Sequence, residues 1–268
     1  MTEFVDGALV AKMAATAVLV LGATVLAERF GAFIGAIIAS MPLSAGPAYA
    51  FLALENGAAF IEKSSVTSLA VHPMTVILLV ITAALVRPLG IVVALGIALA
   101  FWLAGAVVVL KAGLSFETAV MLNVAVFAVI LPMARPLARE VSGRPARRGL
   151  VDVVLRVLAV ATVTGSAILA GRIFGPAVAG VTALVPVIWI SVAVILAVRS
   201  GADMCVSVLA NGIPPMIGFS VAFAMMHLAI EPMGLWVALG LALAIAVGWN
   251  LMLTVGRAIL APARATSG

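Results

Sequence analysis

The chain has few charged residues and only one cysteine. Of its 268 residues, 9% are charged, whereas soluble domains carry roughly 25%. The lone Cys205 excludes an internal disulfide. Hydrophobic residues make up 65% of the chain, and several apolar runs exceed the roughly 18 residues that a bilayer span needs. These features predict an integral membrane protein with helical spans, because in lipid each backbone amide must bond within its own segment.

Enzyme signatures are missing as well. The sequence has no phosphate-binding loop, no HExxH motif, no paired acids for a metal and no cysteine pair. All ten carboxylates fall in loops or near predicted helix ends. The net charge of +5 does not indicate nucleic acid, because the basic residues fall largely in one loop. We therefore expect no catalytic residue, no metal and no cofactor, and the lipid bilayer as the main partner.

The apolar runs predict nine spans, at residues 8–27, 31–54, 64–86, 89–110, 115–133, 151–171, 175–198, 204–227 and 233–256. The linker at 135–149 holds five arginines in fifteen residues, which places it in the cytoplasm. The N-terminus then faces out and the C-terminus faces in. With this orientation, eleven basic residues lie inside and four outside.

An internal repeat runs through the chain. Residues 88–100, PLGIVVALGIALA, match residues 232–244, PMGLWVALGLALA, at nine of thirteen positions. The same offset of 144 residues aligns 30–42 with 174–186 and Gly57-Ala58 with Gly201-Ala202. Several landmarks at one offset without a gap indicate a duplication rather than a chance match.

The duplication predicts an all-α protein arranged as four, one and four spans. The first repeat is 1–111, a connector helix with the basic loop is 112–150, and the second repeat is 151–268. Five spans separate equivalent helices, so the two copies are expected to lie upside down relative to each other. The charges agree: Glu55 ends span 2 outside, and its counterpart Arg199 ends span 7 inside. Inverted repeats of this kind recur in secondary transporters.

The stretch from Lys12 to Pro73 has an early lysine in span 1, a Gly/Ala-rich span 2 broken by Pro42, and an aromatic residue, Tyr49, after that proline. In these features it resembles the GlpM family of small four-span bacterial inner-membrane proteins. In the second repeat Tyr49 is replaced by Ala193. The resemblance implies a location in the bacterial cytoplasmic membrane and a fused, paired ancestry rather than a substrate.

Spans 2 and 7 carry an interruption near their middle. The segment SMPLSAGP at 40–47 contains two prolines and two serines, and Pro186 is the counterpart of Pro42. Proline removes an amide donor and disrupts the preceding helical turn. One interpretation is a pair of broken helices facing a substrate cavity, and the other is a simple packing kink. In the first case the substrate-binding candidates are Ser40, Pro42, Ser44, Tyr49 and Pro186.

Spans 3 and 8 are also expected to be broken, at His72-Pro73 and at Pro214-Pro215. Thr67 and Asn211 correspond across the repeat, and polar groups at such depth normally face the bundle or a wet cavity. The candidates for substrate contact here are Thr67, His72, Asn211, Pro214 and Pro215. His72 could bind a ligand or a proton, or could simply pack as a satisfied core residue. Asn123 and Asn250 are expected to bond between helices.

Lys12 and Arg156 are equivalent cations about a turn inside the first span of each repeat. One interpretation is that they snorkel to the lipid headgroups. The other is that they form cationic vestibules that attract an anion on either side of the membrane.

The sequence therefore favours an inner-membrane permease for a small polar or anionic solute, working by alternating access between inverted repeats. The alternative is an accessory membrane protein of envelope-polymer or lipid biosynthesis that does not transport. A third hypothesis, a membrane-embedded enzyme acting on lipid, lacks a set of residues to support it. Whether the chain forms a homodimer is left open by its sequence.

Overall fold

The computed structural model describes residues 6–29, 45–138 and 149–260, and this part of the chain is helical throughout apart from short connections. The helices are α1 Gly7–Arg29, α2 Ala45–Asn56, α3 Ala58–Ala112, α4 Phe116–Ala134, α5 Leu150–Phe174, α6 Pro176–Ala183, α7 Val187–Arg199, α8 Ala202–Asn211, α9 Ile213–Met233 and α10 Leu235–Leu260.

Within the described residues, six helical segments are long and apolar enough to cross a membrane. Large hydrophobic side chains such as Val92 and Ile259 stay exposed on the outside of the bundle. Exposed apolar surface on this scale is unfavourable in water and suits contact with lipid chains. The prediction of an all-helical, multi-pass membrane protein is confirmed.

Helix α3 consists of two stretches joined at Gly90. It spans 55 residues, but Gly90 has a φ of 74°, which L side chains rarely adopt. The second stretch folds back on the first, since Trp102 Nε1 donates to Thr75 Oγ1 over 3.1 Å and Met74 packs against Gly105. Helix α3 therefore contains two antiparallel helical stretches that follow one another directly in the sequence.

Helices α9 and α10 form a second hairpin of the same kind. The break between them is Gly234, with a φ of 84°. Trp249 on α10 packs against Gly218 on α9, and its Nε1 donates to the carbonyl of Pro214 over 3.0 Å. Both hairpins use a positive-φ glycine at the turn and a close glycine contact in the stem.

The remaining contacts fix the direction of the helices. Along α1 and α5, Asp6 faces Arg172 while Met13 faces Gly165, so these helices run antiparallel. The first stretch of α3 also runs antiparallel to α8 and α9, because Glu62 lies beside His227 at one end and Arg87 beside Asp203 at the other.

Helix α6 runs parallel to α3. Ser64 Oγ donates to the carbonyl of Pro176 over 3.0 Å, and Ser68 Oγ donates to that of Gly180 over 2.9 Å. The two helices approach closely, because a Cβ added to Gly180 would lie 2.5 Å from the Ser64 carbonyl oxygen. The small residue at position 180 permits this approach.

The predicted interruptions have different outcomes. The break at Pro186 is confirmed, because α6 ends at Ala183 and α7 begins at Val187. The chain is also interrupted at Gly212, between α8 and α9, just before Pro214-Pro215. The break expected at Pro73 is wrong, since α3 remains helical through that residue and departs from helical geometry at Gly90 instead. Residues 40–44 lie outside the described residues.

Candidate functional site

Three polar side chains from three helices meet in the interior of the bundle, and we call them the central cluster. They are His72 on α3, Asn123 on α4 and Ser220 on α9, each with less than a tenth of its surface exposed. Ser220 Oγ lies 3.0 Å from His72 Nδ1 and 2.8 Å from Asn123 Oδ1. Buried polar groups need partners, and here each of the three residues finds one on a different helix.

Asn123 also explains why α3 stays helical at Pro73. A proline has no amide hydrogen, so the carbonyl four residues earlier, that of Leu69, loses its helical partner. Asn123 Nδ2 donates to this carbonyl over 2.7 Å and to the Ala119 carbonyl of its own helix over 2.8 Å. The neighbouring helix thus supplies the donor that the proline lacks. The interhelical role expected for Asn123 is confirmed, whereas Asn250 bonds to Ala246 on its own helix.

Aromatic rings surround His72. The ring centroids of Phe127, Phe219 and Phe223 each lie 6.3 Å from that of the imidazole. His72 Nε2 is buried and has no hydrogen-bond partner among the described residues. The cluster therefore presents one unused nitrogen to an apolar enclosure.

A second polar chain adjoins this enclosure through Phe223, whose ring centroid is 5.7 Å from that of Tyr49. Tyr49 is 2% exposed, and its hydroxyl lies 2.6 Å from Ser68 Oγ. Ser68 gives its single hydrogen to the carbonyl of Gly180, so the tyrosine hydroxyl is the donor to Ser68. This chain links α2, α3 and α6.

Four charged residues form an ionic cluster at one end of the bundle, and we call it the end cluster. Arg172 donates from Nε to Glu55 Oε2 over 2.9 Å and from Nη2 to Glu55 Oε1 over 2.6 Å. Lys12 Nζ also donates to Glu55 Oε1, and Arg172 Nη1 lies 3.4 Å from Asp6 Oδ1. The end cluster joins α1, α2 and α5.

Two opposing effects act on the Glu55 carboxyl, which lies beyond the apolar part of α2. Burial raises its pKa, but hydrogen bonds from Arg172 and Lys12 and the charges of these residues outweigh burial, so the pKa falls below its usual value. Glu55 is therefore ionised in the end cluster, and its carboxylate accepts the hydrogen bonds of both Lys12 and Arg172.

The opposite end of the bundle has a looser pair. Arg87 Nε donates to Asp203 Oδ1 over 2.7 Å, but both side chains are more than half exposed. An exposed ion pair contributes little to stability.

The structure places the sequence-predicted residues as follows. Tyr49 and His72 lie in the buried interior, and the ring of each lies next to that of Phe223. Thr67 Oγ1 bonds back to the Lys63 carbonyl on its own helix over 3.2 Å. Asn211 Nδ2 donates to the carbonyl of Ala138 over 3.2 Å.

The other candidates occupy different positions. Pro186 caps α7, Pro214 accepts from Trp249, and Pro215 lies in the first turn of α9. Lys12 belongs to the end cluster. Arg156 lies within α5, and Ser40, Pro42 and Ser44 lie outside the described residues.

Sequence reasoning missed Ser220, Ser68 and the pairing of Glu55 with Arg172. Serines are ordinary in membrane helices, so neither serine carried a signal of its own. Only the fold brings Ser220 to His72, which is 148 residues away along the chain. The span count places Glu55 outside, and Arg172 is one of the four basic residues that it also places outside; this shared side is the signal that the sequence offers for their pairing.

An apolar groove of about 400 Å³ lies on another part of the surface, lined by residues including Met74, Phe101, Gly105 and Leu122. Its accessible lining is entirely apolar, so it suits a lipid chain rather than a polar solute. Within residues 6–29, 45–138 and 149–260, no three or more His, Cys, Asp or Glu residues come together to hold a metal ion. In comparisons with family models, curated proteins and solved structures, no match to the chain was found.

Proposed function

We propose that the protein is a bacterial inner-membrane permease that moves a small polar or anionic solute by alternating access between two inverted four-span repeats. The observation that carries this proposal is the antiparallel packing of equivalent helices. Positions 144 residues apart lie on α1 and α5, and these helices run antiparallel. The same holds for α3 against α8 and α9.

The contact registers support a two-fold relation between the halves. Asp6 lies beside Arg172 and Met13 beside Gly165. Continuing this antiparallel register along the two helices places Ala17 level with Ala161, which is its own counterpart in the repeat. On α3 and α9, Pro73 lies within a turn of its counterpart Ile217 by the same reasoning. Helices that cross at equivalent residues are expected where an axis in the membrane plane relates two copies.

Backbone geometry supports the duplication independently. Gly57 and Gly201 have φ of 80° and 87°, and Gly90 and Gly234 have 74° and 84°. Each pair is 144 residues apart and starts or interrupts a helix at the same place. Only glycine adopts this conformation readily, so its recurrence at one offset is unlikely to be accidental.

A stem contact is also repeated with the side chains exchanged. Met74 packs on Gly105 in the first hairpin, and Gly218 is packed by Trp249 in the second. Under the offset, Met74 corresponds to Gly218 and Gly105 to Trp249. The large side chain has moved to the other helix while the contact has been kept, which is the exchange that close packing favours in diverged copies.

Contacts at the two ends of the bundle support the grouping of loops that nine spans require, while the arginine-rich linker at 135–149 favours an outside N-terminus. The residues that the span count places outside contact one another, as Asp6, Glu55 and Arg172 do, and so do Glu62 and His227. Those placed inside contact one another too, as in the pair of Arg87 with Asp203. The end cluster is then on the outer face.

This placement gives the end cluster a role as the outer gate. It ties the first repeat to the second through Glu55 and Arg172. The offset maps Glu55 onto Arg199 and Arg172 onto Glu28, so the same two positions on the inner face carry the opposite charges. We expect this inner pair to close the path when the outer pair opens, as alternating access requires.

The described polar groups suit a small solute with hydrogen-bonding groups. Tyr49, Ser68, His72 and Ser220 line the interface between the halves, and no carboxylate lies among them. A cationic solute would find no counter-charge there, so an anionic or neutral polar one is favoured.

Cysteine accessibility tests the path. Thr67→Cys and Asn211→Cys, made in a Cys205→Ala background, should react with a small water-soluble maleimide, the first from outside and the second from inside. The matched controls Ala98→Cys and Ala242→Cys occupy equivalent buried positions and should stay protected. Protection at both 67 and 211 would contradict a permease and favour the accessory protein of envelope or lipid biosynthesis.

Transport is tested directly in proteoliposomes. Pools of small anions and neutral polar metabolites are first screened for thermal stabilisation of the purified protein, because a ligand that binds the folded state raises its stability. Any stabilising compound should then enter proteoliposomes and not protein-free vesicles. Stabilisation without uptake would contradict the proposal.

A further inference from the structure

The hydrogen bonds of the central cluster determine which nitrogen of His72 carries hydrogen. Both amide hydrogens of Asn123 are used, because Nδ2 donates to the carbonyls of Leu69 and Ala119. Asn123 Oδ1 can only accept, so the bond of 2.8 Å to Ser220 must use the serine hydrogen. A serine has one hydrogen, and therefore Ser220 Oγ accepts at its contact with His72.

It follows that His72 donates from Nδ1 to Ser220 across 3.0 Å. A neutral imidazole has one N–H and one bare nitrogen, so the bare nitrogen is Nε2. The orientation of the Asn123 amide underlies this assignment, and it is fixed because the reversed amide would bring its oxygen against two carbonyl oxygens. The network therefore leaves an acceptor lone pair on the one buried nitrogen of the ring that has no partner.

Charged groups are distant from this nitrogen. On the elements packed against His72, the described charged side chains lie near helix ends or, for Arg87, beside the Gly90 break: Glu62, Lys63, Arg87 and Lys111 on α3, Glu117 on α4, Asp203 on α8 and Glu231 on α9. His227 on α9 lies beside Glu62, and Tyr49 contributes a buried hydroxyl beyond Phe223. With helical geometry, Glu62 is about 15 Å from His72 along α3 and Arg87 about 22 Å.

We propose that His72 Nε2 is the proton-binding site through which the permease couples solute movement to the proton gradient, an inference that rests on the proposed function. The proton adds to the Nε2 lone pair when the site is open to water on one side of the membrane. It is released from Nε2 to water on the other side when the site opens there, and the imidazole returns to its neutral form. Protonation breaks no hydrogen bond, because Ser220 accepts from Nδ1–H in both states.

The proton is favoured over other occupants by the surroundings of Nε2. A metal ion would require further ligands, and in the described part of the chain none gather at His72. A larger donor would have to fit within the three phenylalanine rings that already surround the imidazole. A proton needs neither space nor additional ligands.

Nitrogen NMR of protein labelled with ¹⁵N-histidine tests this assignment, because the chain has only two histidines. His227→Gln and His72→Gln assign the two sets of signals in the unmodified protein. The neutral form of His72 should carry its hydrogen on Nδ1, and acidification should protonate Nε2 reversibly. Ser220→Ala should remove the preference for Nδ1–H. A hydrogen on Nε2 in the neutral form, or an Nε2 that stays bare until the protein unfolds, would overturn the proposal.

A proton-flux measurement completes the test. In proteoliposomes with a trapped pH indicator, adding the transported solute should acidify or alkalinise the lumen with the unmodified protein and with His227→Gln, and at least tenfold less with His72→Gln. Solute uptake that persists in His72→Gln and never moves protons would refute proton coupling while leaving the permease intact. If the NMR result holds but no solute is transported, the proposed function fails and the proton site remains.

Discussion

At the scale of single residues, Glu55 is the clearest example of a side chain whose role depends on its neighbours. Its sequence position at the end of an apolar run is unremarkable, yet it accepts hydrogen bonds from two cations on two other helices. An anion in this position stabilises the fold only while it is ionised and both partners remain.

Glu55→Gln should therefore lower the free energy of unfolding by about 2 kcal/mol, the order expected for hydrogen bonds to a charged group. Because the pKa of Glu55 is lowered in the folded protein, its contribution is complete above the unfolded-state pKa and is lost as the pH falls through the folded-state value. Denaturant unfolding in detergent at neutral and acidic pH measures both effects. The matched control, Glu231→Gln, changes an exposed carboxyl and should leave stability nearly unchanged. An equal loss in both variants would show that Glu55 has no special role.

At the scale of the helices, the hydrophobic runs were enough to predict most elements. The predicted spans at 115–133 and 151–171 match α4 and α5 to within three residues at each end. The predicted boundary between the spans 64–86 and 89–110 lies beside Gly90, where α3 departs from helical geometry. Pro73 misled the same reasoning: whether a proline breaks a helix depends on a donor from another helix, and Asn123 is distant in sequence.

The glycines at the hairpin turns give a prediction for both repeats. Gly90→Ala and Gly234→Ala would each force a side chain into a positive φ and should cost about 1–2 kcal/mol. Gly96→Ala and Gly240→Ala are the matched controls, since both sites are helical and have nothing near the added Cβ. These controls should be neutral or slightly stabilising, because alanine favours a helix over glycine. Thermal unfolding of the four variants is the measurement, and destabilisation by the controls as well would contradict this account of the turns.

At the scale of the whole molecule, the sequence predicts a repeat but cannot indicate how the two proposed halves meet. The offset of 144 residues is evident from the amino-acid sequence. The register at which α1 crosses α5, however, depends on the packing of Met13 against Gly165. The central cluster also lay beyond sequence reasoning, because three helices must be packed before Ser220 can select the tautomer of His72. The substrate-binding roles of Ser40, Pro42 and Ser44 stay predictions, because these residues lie outside the described part of the chain.

The proposed alternating access makes a reciprocal prediction about the two ends of the bundle. Glu55→Gln weakens the outer gate, so Thr67→Cys should react faster from outside and Asn211→Cys more slowly from inside. Arg199→Gln, at the equivalent position of the other repeat, should have the opposite effect on both sites. Maleimide labelling rates in a Cys205→Ala background, measured from each side of the membrane, provide the comparison. A gate substitution that raises labelling at both ends would mean that the bundle merely loosens, since a carrier can open one end only by closing the other.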